Sequence, residues 1–299
     1  MKKWGILNIT IIATLILLTA CSNNTERATQ GGKVEVKKDN SATVTSVNTK
    51  PALTAIAPPT LEAEVKKPEE PVSSSVEVKQ KVVSAKVVAQ SVNKVIVIDP
   101  GHANRSNLEK EALAPGSSEM KIKDGGGAQG IATKTPEYLV NMKVAIKLKA
   151  LLEGNGFKVI MTKTDNSLSL GNIERANIGN NANANLVVRI HADSNDNSSV
   201  VGASMLVPAA MNENTKTIHD ESKRCGTIIL NTLASEVGMK NRGVVEHSDM
   251  TGFNWSKVPV ILVEMGFLSN ANEDNLLSSE DYENKLALGL FHGIVVAEK

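Results

Sequence analysis

From Lys94 to the C-terminus, short apolar runs alternate with longer stretches whose apolar residues recur at helical spacing. That alternation constrains the fold more than any other feature. Val95–Ile98, Phe157–Met161, Leu186–Ile190, Gly202–Val207 and Val260–Val263 have the length and branched content of buried strands. Between them, Thr135-Pro136-Glu137 opens a helix, with Thr135 as cap, proline at the first helical position and an acid in the first turn. Val140, Val144, Leu148 and Leu151/Leu152 share a face of it, and Gly154 and Gly156 end it. Ile173–Ala182, Glu213–Val237 and Ser279–Val296 read as further helices; Ser279 caps the last, which carries Leu286, Leu290 and Ile294 on one face. Strands alternating with helices predict an α/β three-layer sandwich: a mostly parallel twisted sheet with helices on both faces.

The first 93 residues have a different character. Lys2 and Lys3 precede an apolar run that is short for a membrane span and ends in Leu18-Thr19-Ala20-Cys21. This tetrapeptide resembles the bacterial lipobox, which implies a signal peptide over 1–20 and lipidation at Cys21; an uncleaved anchor helix is the alternative. Residues 21–93 are rich in Ser, Thr, Lys, Glu and Pro with no sustained period, and read as a disordered linker. About 70 flexible residues reach roughly 45–50 Å. The expected organisation is signal peptide 1–20, lipid-anchored linker 21–93 and catalytic domain 94–299. Lysines and arginines number 33 against 32 acids, and aromatics are 3% of the chain, so neither a basic surface nor a stacking platform for nucleic acid is expected. Cys21 and Cys225 cannot build a disulfide framework.

The strand ends carry the chemistry. In open α/β sheets, ligands bind beyond the carboxyl ends of strands. "VIVIDPGH" runs into His102, "LVVRIHAD" into His191 and "VILVEMGF" into Glu264. Pro100 and Gly101 turn the chain so that His102 faces the crevice, Asp99 is placed to orient a ligand, and Glu137 sits in the first turn of the first helix. Two histidines, a carboxylate and an open position suit catalytic zinc, with a second carboxylate to move the proton. There is no HExxH, and no serine lies in a G-x-S-x-G context.

"VIVIDPGH", "EYLVNMKVAIKLKALLEGNGFKVIMTK", "ERANIGNNANANLVVRIHAD" and "VPVILVEMGFLSNANED" together resemble the zinc-dependent N-acetylmuramoyl-L-alanine amidases of the type 3 family, in order, over roughly two-thirds of the chain. The resemblance implies one zinc on His102, Glu137 and His191, and Glu264 as the catalytic glutamate. It implies cleavage of the amide between N-acetylmuramic acid and the L-alanine of the peptidoglycan stem peptide. Arg175, in the family's E-R segment, either braces its helix or binds substrate; Asn270 either contacts peptide or caps a turn. With the lipobox, the resemblance implies an extracytoplasmic lipoprotein facing the cell wall, with peptidoglycan and the membrane as partners and an activator unidentified.

Arg189 and Asp193 depart from the Ser-Ile-His-Ala-Asn pattern of many members. The segment from Arg105 to Thr135 reads as a long polar loop, with Gly125–Gly127 either a flexible, substrate-facing part or plain surface loop. His219 and His292, within helices, His247, in a polar loop, and Cys225, packed in a helix, are not expected to act. The rival functions are another zinc hydrolase, such as a carboxypeptidase or sugar deacetylase, and a non-catalytic wall-binding or activator lipoprotein.

Overall fold

The structure is a computed structural model and describes residues 93–299. The expected signal peptide, the linker through residue 92 and the lipidation at Cys21 lie outside the described residues. Among the described residues, no helix is long and apolar enough to cross a membrane.

Six strands form the main sheet: β1 (Val95–Pro100), β4 (Lys158–Met161), β5 (Leu186–Asp193), β6 (Ala203–Pro208), β7 (Asn241–His247) and β8 (Val260–Phe267). Their order is β4-β1-β5-β8-β6-β7. All neighbours are parallel except β6, which runs antiparallel to β8. The sheet is therefore mixed and mostly parallel.

Helices cover both faces, as the alternation predicts. The larger core packs Ile96, Ile98, Val188, Ile190, Ile261 and Val263 of the sheet against three helices. These are α1 (Glu137–Gly154), α3 (Glu213–Val237) and α6 (Glu280–Ala297). Helix α1 contributes Val140, Val144, Leu148 and Leu152, all fully buried. At the end of α1, Gly156 takes φ +86°, a left-handed conformation suited to glycine. The opposite face buries a smaller set, including Val97, Val187, Leu262 and Phe253. It is covered by α2 (Asn172–Asn181) and the short α4 (Thr251–Asn254). Strand side chains alternate between faces, so Asp99, Arg189, His191 and Glu264 share the less covered face.

Several local expectations are corrected. Residue 136, not Thr135, is the cap of α1, and no side chain caps that end. Thr135 instead accepts a bond from Thr133 Oγ1. Ser279 occupies the cap position of α6, but its hydroxyl donates back to Leu276 O. Strands β5 and β8 continue past His191 and Glu264 to pair Asp193 with Phe267, so these two groups lie within strands and only His102 follows one. His247 ends strand β7, where it pairs with Pro208, and is not in a loop.

The polar segment after His102 is not simply a loop. It holds an antiparallel hairpin, β2 (Asn107–Ala112) with β3 (Met120–Asp124). Its large apolar residues, Leu108, Met120 and Ile122, are exposed, so no buried face holds it. It is fixed by specific polar contacts. Glu111 accepts from the backbone N–H of Asn172 and Ile173 at the start of α2, at 2.7 and 3.1 Å. Trp255 Nε1 donates to Ala112 O at 2.9 Å.

A second clamp fixes the approach to Glu137. Asp274, on α5 (Ala271–Leu277), is fully buried. Its carboxylate accepts from Ala132 N, Thr133 N and Thr133 Oγ1 at 2.7, 2.8 and 2.6 Å. Such charge-assisted bonds contribute about 1.5–3 kcal/mol each. Asp274→Ala is expected to destabilise the fold by about 2–4 kcal/mol, read as a lower urea midpoint at unchanged slope. An unchanged midpoint would show that the segment holds without this clamp.

Candidate active site

The strand β1 delivers His102 through a forced turn. His102 has φ +57°, a left-handed backbone that is uncommon for a non-glycine residue. Gly101 makes the turn possible, because any Cβ there would collide with the His191 ring. The two imidazoles therefore meet edge to face, with centroids 4.9 Å apart and planes at 85°. Gly127 plays a similar part from the other side: a side chain there would press on Glu137 and His102. The glycine run expected to be a flexible loop is thus packed against the site at this position.

Glu137 projects from the first turn of α1 between the two rings. Its Oε1 is 3.1 Å from His191 Nδ1 and its Oε2 is 3.4 Å from His102 Nε2. One ligand atom from each of His102, Glu137 and His191 lies within 4.8 Å of the others. Asn141 Nδ2, Ala128 N and Ala192 N also donate to the Glu137 carboxylate. Burial alone would raise its pKa; the hydrogen bond and charge of His191, then the charge of His102, hold it down to about 2. Burial also pushes His191 below its ordinary range, which favours the neutral imidazole that a metal requires.

The residues fit a metal ion. Two imidazoles and an ionised carboxylate converge, and His191 Nε2 is buried with no hydrogen-bond partner. A three-residue set leaves a position open toward the crevice. The orienting group on His102 was not foreseen. Asp124, at the end of β3, accepts from His102 Nδ1 at 2.8 Å and also from Gly126 N at 3.0 Å. This fixes the ring and directs Nε2 toward Glu137. The only sequence signal for Asp124 is an acid before a glycine run in a segment with no periodicity.

Glu264 lies opposite His191 in the register of β5 and β8. Its Oε2 is buried and unpartnered. Burial, then the charges of Glu137 and Asp193, raise its pKa well above the ordinary carboxylate range, while Arg189 opposes them. A carboxyl group poised this way can both take and return a proton.

Asp99 does not touch either histidine. It is 1% exposed and accepts from Arg175 Nη1 at 2.6 Å, Arg189 Nε at 2.9 Å and Thr162 Oγ1 at 2.6 Å. Burial would raise its pKa, but the two guanidinium charges outweigh that and hold it far below the ordinary range. A depressed acid contributes stability that is complete above its unfolded pKa, about 3.9, and that is lost as pH falls toward the folded value. Asp99→Asn is therefore expected to melt well below the parent at pH 6, with the gap shrinking below pH 4. Parallel melting curves down to pH 2.5 would contradict this. Arg175 also donates to Pro100 O and Leu170 O, so it braces the turn that carries His102. Asn270 caps α5, accepting from Asn272 N and Glu273 N and donating to Ser198 O. His219, His247 and His292 pair with acids away from this cluster, and Cys225 is buried in α3.

Comparison with known proteins gives one consistent answer. The family model described as N-acetylmuramoyl-L-alanine amidase matches residues 96–296. The chain is 29% identical over 218 residues to N-acetylmuramoyl-L-alanine amidase LytC of Bacillus subtilis, a match spanning 71% of this chain and 38% of that protein. It is 25% identical over 213 residues to N-acetylmuramoyl-L-alanine amidase Rv3717 of Mycobacterium tuberculosis, covering 67% of this chain and 84% of the relative. Among solved structures, the catalytic domain of CwlV, an N-acetylmuramoyl-L-alanine amidase from Bacillus (Paenibacillus) polymyxa var. colistinus, is 28% identical. It superposes with a TM-score of 0.53 over 67% of this chain and 96% of that one. The amidase Ami1 of Mycobacterium smegmatis, at 23% identity and a TM-score of 0.63, shares the fold over 70% of this chain and 98% of its own. With the family model matching residues 96–296, which include every residue of the cluster, the chain belongs to the N-acetylmuramoyl-L-alanine amidase family.

Proposed function

We propose that this protein hydrolyses the amide between N-acetylmuramoyl residues and the L-alanine of the peptidoglycan stem peptide, with zinc held by His102, Glu137 and His191. The observation that carries the reading is Glu264. It is a half-buried side chain with one buried, unpartnered carboxylate oxygen, in register with a histidine of the cluster, in a chain of this family. Zinc bound there would polarise the scissile carbonyl and lower the pKa of a water to about 7.

The chain's own residues do the rest. Asp124 holds His102 by Nδ1, and Asn141 holds Glu137, so the ligands are fixed before metal arrives. Glu264 takes a proton from the attacking water and then donates it to the departing alanine nitrogen, so one carboxyl serves as base and acid in turn. The signal peptide 1–20, lipid attachment at Cys21 and linker to residue 93 would place the catalytic domain, 94–299, outside the cell membrane and within reach of the wall. The lipobox-like segment Leu18–Cys21 supports that placement.

The test is digestion of purified peptidoglycan by the full-length protein in detergent, with products identified by mass spectrometry. Free stem peptides with a new alanine amine, and intact glycan strands, are the expected result. Released terminal amino acids or acetate would instead establish a carboxypeptidase or a deacetylase. Binding to peptidoglycan without any new amine would leave a wall-binding lipoprotein.

A further inference from the structure

Two cavities flank the centre, and His102, His191 and Glu264 line both. They differ in charge. The first, about 300 Å³, has Arg175, Arg189, Lys123 and Asn172 in its wall. The second, about 320 Å³, is walled by Gly126, Gly127, Glu137, Asp193 and Ser194, and has no lysine or arginine.

The first wall carries three cationic side chains. Arg175 and Arg189 are 4% and 6% exposed and share the single carboxylate of Asp99. Arg175 Nη2 is buried without an acceptor. Arg189 commits Nε to Asp99 and Nη2 to Asn172 Oδ1, and its Nη1 lies against Gly252. Two acids also face this cavity, Asp124 and Glu264. Asp124 is engaged by His102 and Gly126 N through Oδ1, while its Oδ2 and Glu264 Oε2 are buried without a donor. Buried guanidiniums that outnumber their carboxylate favour an incoming anion, and carboxylate is the anion whose geometry they match.

An amide held at the centre sends its two halves in opposite directions. The muramoyl half is uncharged once its carboxyl group is in amide linkage, whereas the peptide half can carry further carboxylates. Asp193 at the second cavity would repel those carboxylates. We infer that the Arg175–Arg189 cavity receives the peptide half and selects a stem peptide whose residue next to the alanine bears a carboxylate rather than a carboxamide, while the sugar half occupies the Gly127–Asp193 cavity. This assignment rests on the amidase reading and fixes which way the substrate lies.

The test uses the full-length protein and two synthetic muramoyl peptides that differ only in carboxylate or carboxamide at the residue after alanine. The expected kcat/KM favours the carboxylate by about 10- to 100-fold, the range of a charge-assisted hydrogen bond. Arg189→Gln is expected to bring that ratio to within about threefold of one, and Arg189→Lys to keep part of the preference. A merely structural Arg189 would change both substrates together and leave the ratio standing. A wild-type ratio near one overturns the inference without needing any variant. If neither peptide is cleaved, the amidase reading has failed. Titration calorimetry with free alanyl-glutamate and its amide then decides the cavity: tighter acid binding, lost in Arg189→Gln, supports it, and equal binding overturns it.

Discussion

Glu264→Gln is expected to bind metal as the parent does and to lose about 10²- to 10⁴-fold in kcat, the usual contribution of a positioned acid–base group. The substitution preserves shape and removes only the titratable proton. Glu264 lies outside the three-residue cluster, so metal content measured by atomic absorption should not change. Stability should move the other way. In the metal-free protein, burial and the charges of Glu137 and Asp193 raise the Glu264 pKa above its unfolded value. A raised acid holds its proton in the folded state while the unfolded chain has already released it. Stability therefore falls as pH rises from about 4.3 toward the folded pKa, and the Gln variant lacks that slope. A higher melting temperature at pH 7 with turnover lost is the combined signature. Undiminished release of alanine amine from the variant would remove Glu264 from the mechanism, and loss of metal would make it a ligand instead.

Metal removal is the second large effect. Chelation is expected to abolish turnover, and zinc to restore it. The same ion should stabilise the fold, because the unfolded chain does not hold His102, Glu137 and His191 together. At about 1,000 times Kd the gain is about 4 kcal/mol, which raises the melting temperature of a domain of this size by roughly 8–16 °C. His191→Ala and Glu137→Ala should remove both the activity and the melting shift. A zinc-induced shift that survives in both variants would locate the ion elsewhere.

The strands and the site were legible in the sequence to different degrees. Apolar runs marked β1, β4, β5, β6 and β8, most clearly β1, β5 and β8, which are buried on both faces and continuous in Val, Ile and Leu. Strand β7 was missed: at the sheet edge it reads Asn241-Arg242-Gly243 before two valines, and most of it is exposed. The hairpin of β2 and β3 was missed because polar anchors, not an apolar face, hold it. With it went Asp124, which supports His102. Asp99 was expected to orient a ligand, yet its carboxylate belongs to Arg175 and Arg189. An acid next to D-P-G-H gives no hint of which partners the neighbouring strand will bring.

What the sequence determined by itself is the alternation of strands and helices and the placing of His102, His191 and Glu264 at or near strand ends, because period and burial are local properties of the chain. Only the tertiary structure decided what surrounds those groups. Register set His191 opposite Glu264 and Asp99 opposite Arg189. The less covered face of the sheet then gathered two arginines from separate elements into one wall. Charge balance in a buried site depends on which residues meet across strands and helices, and that is fixed by packing over long separations, not by neighbours along the chain.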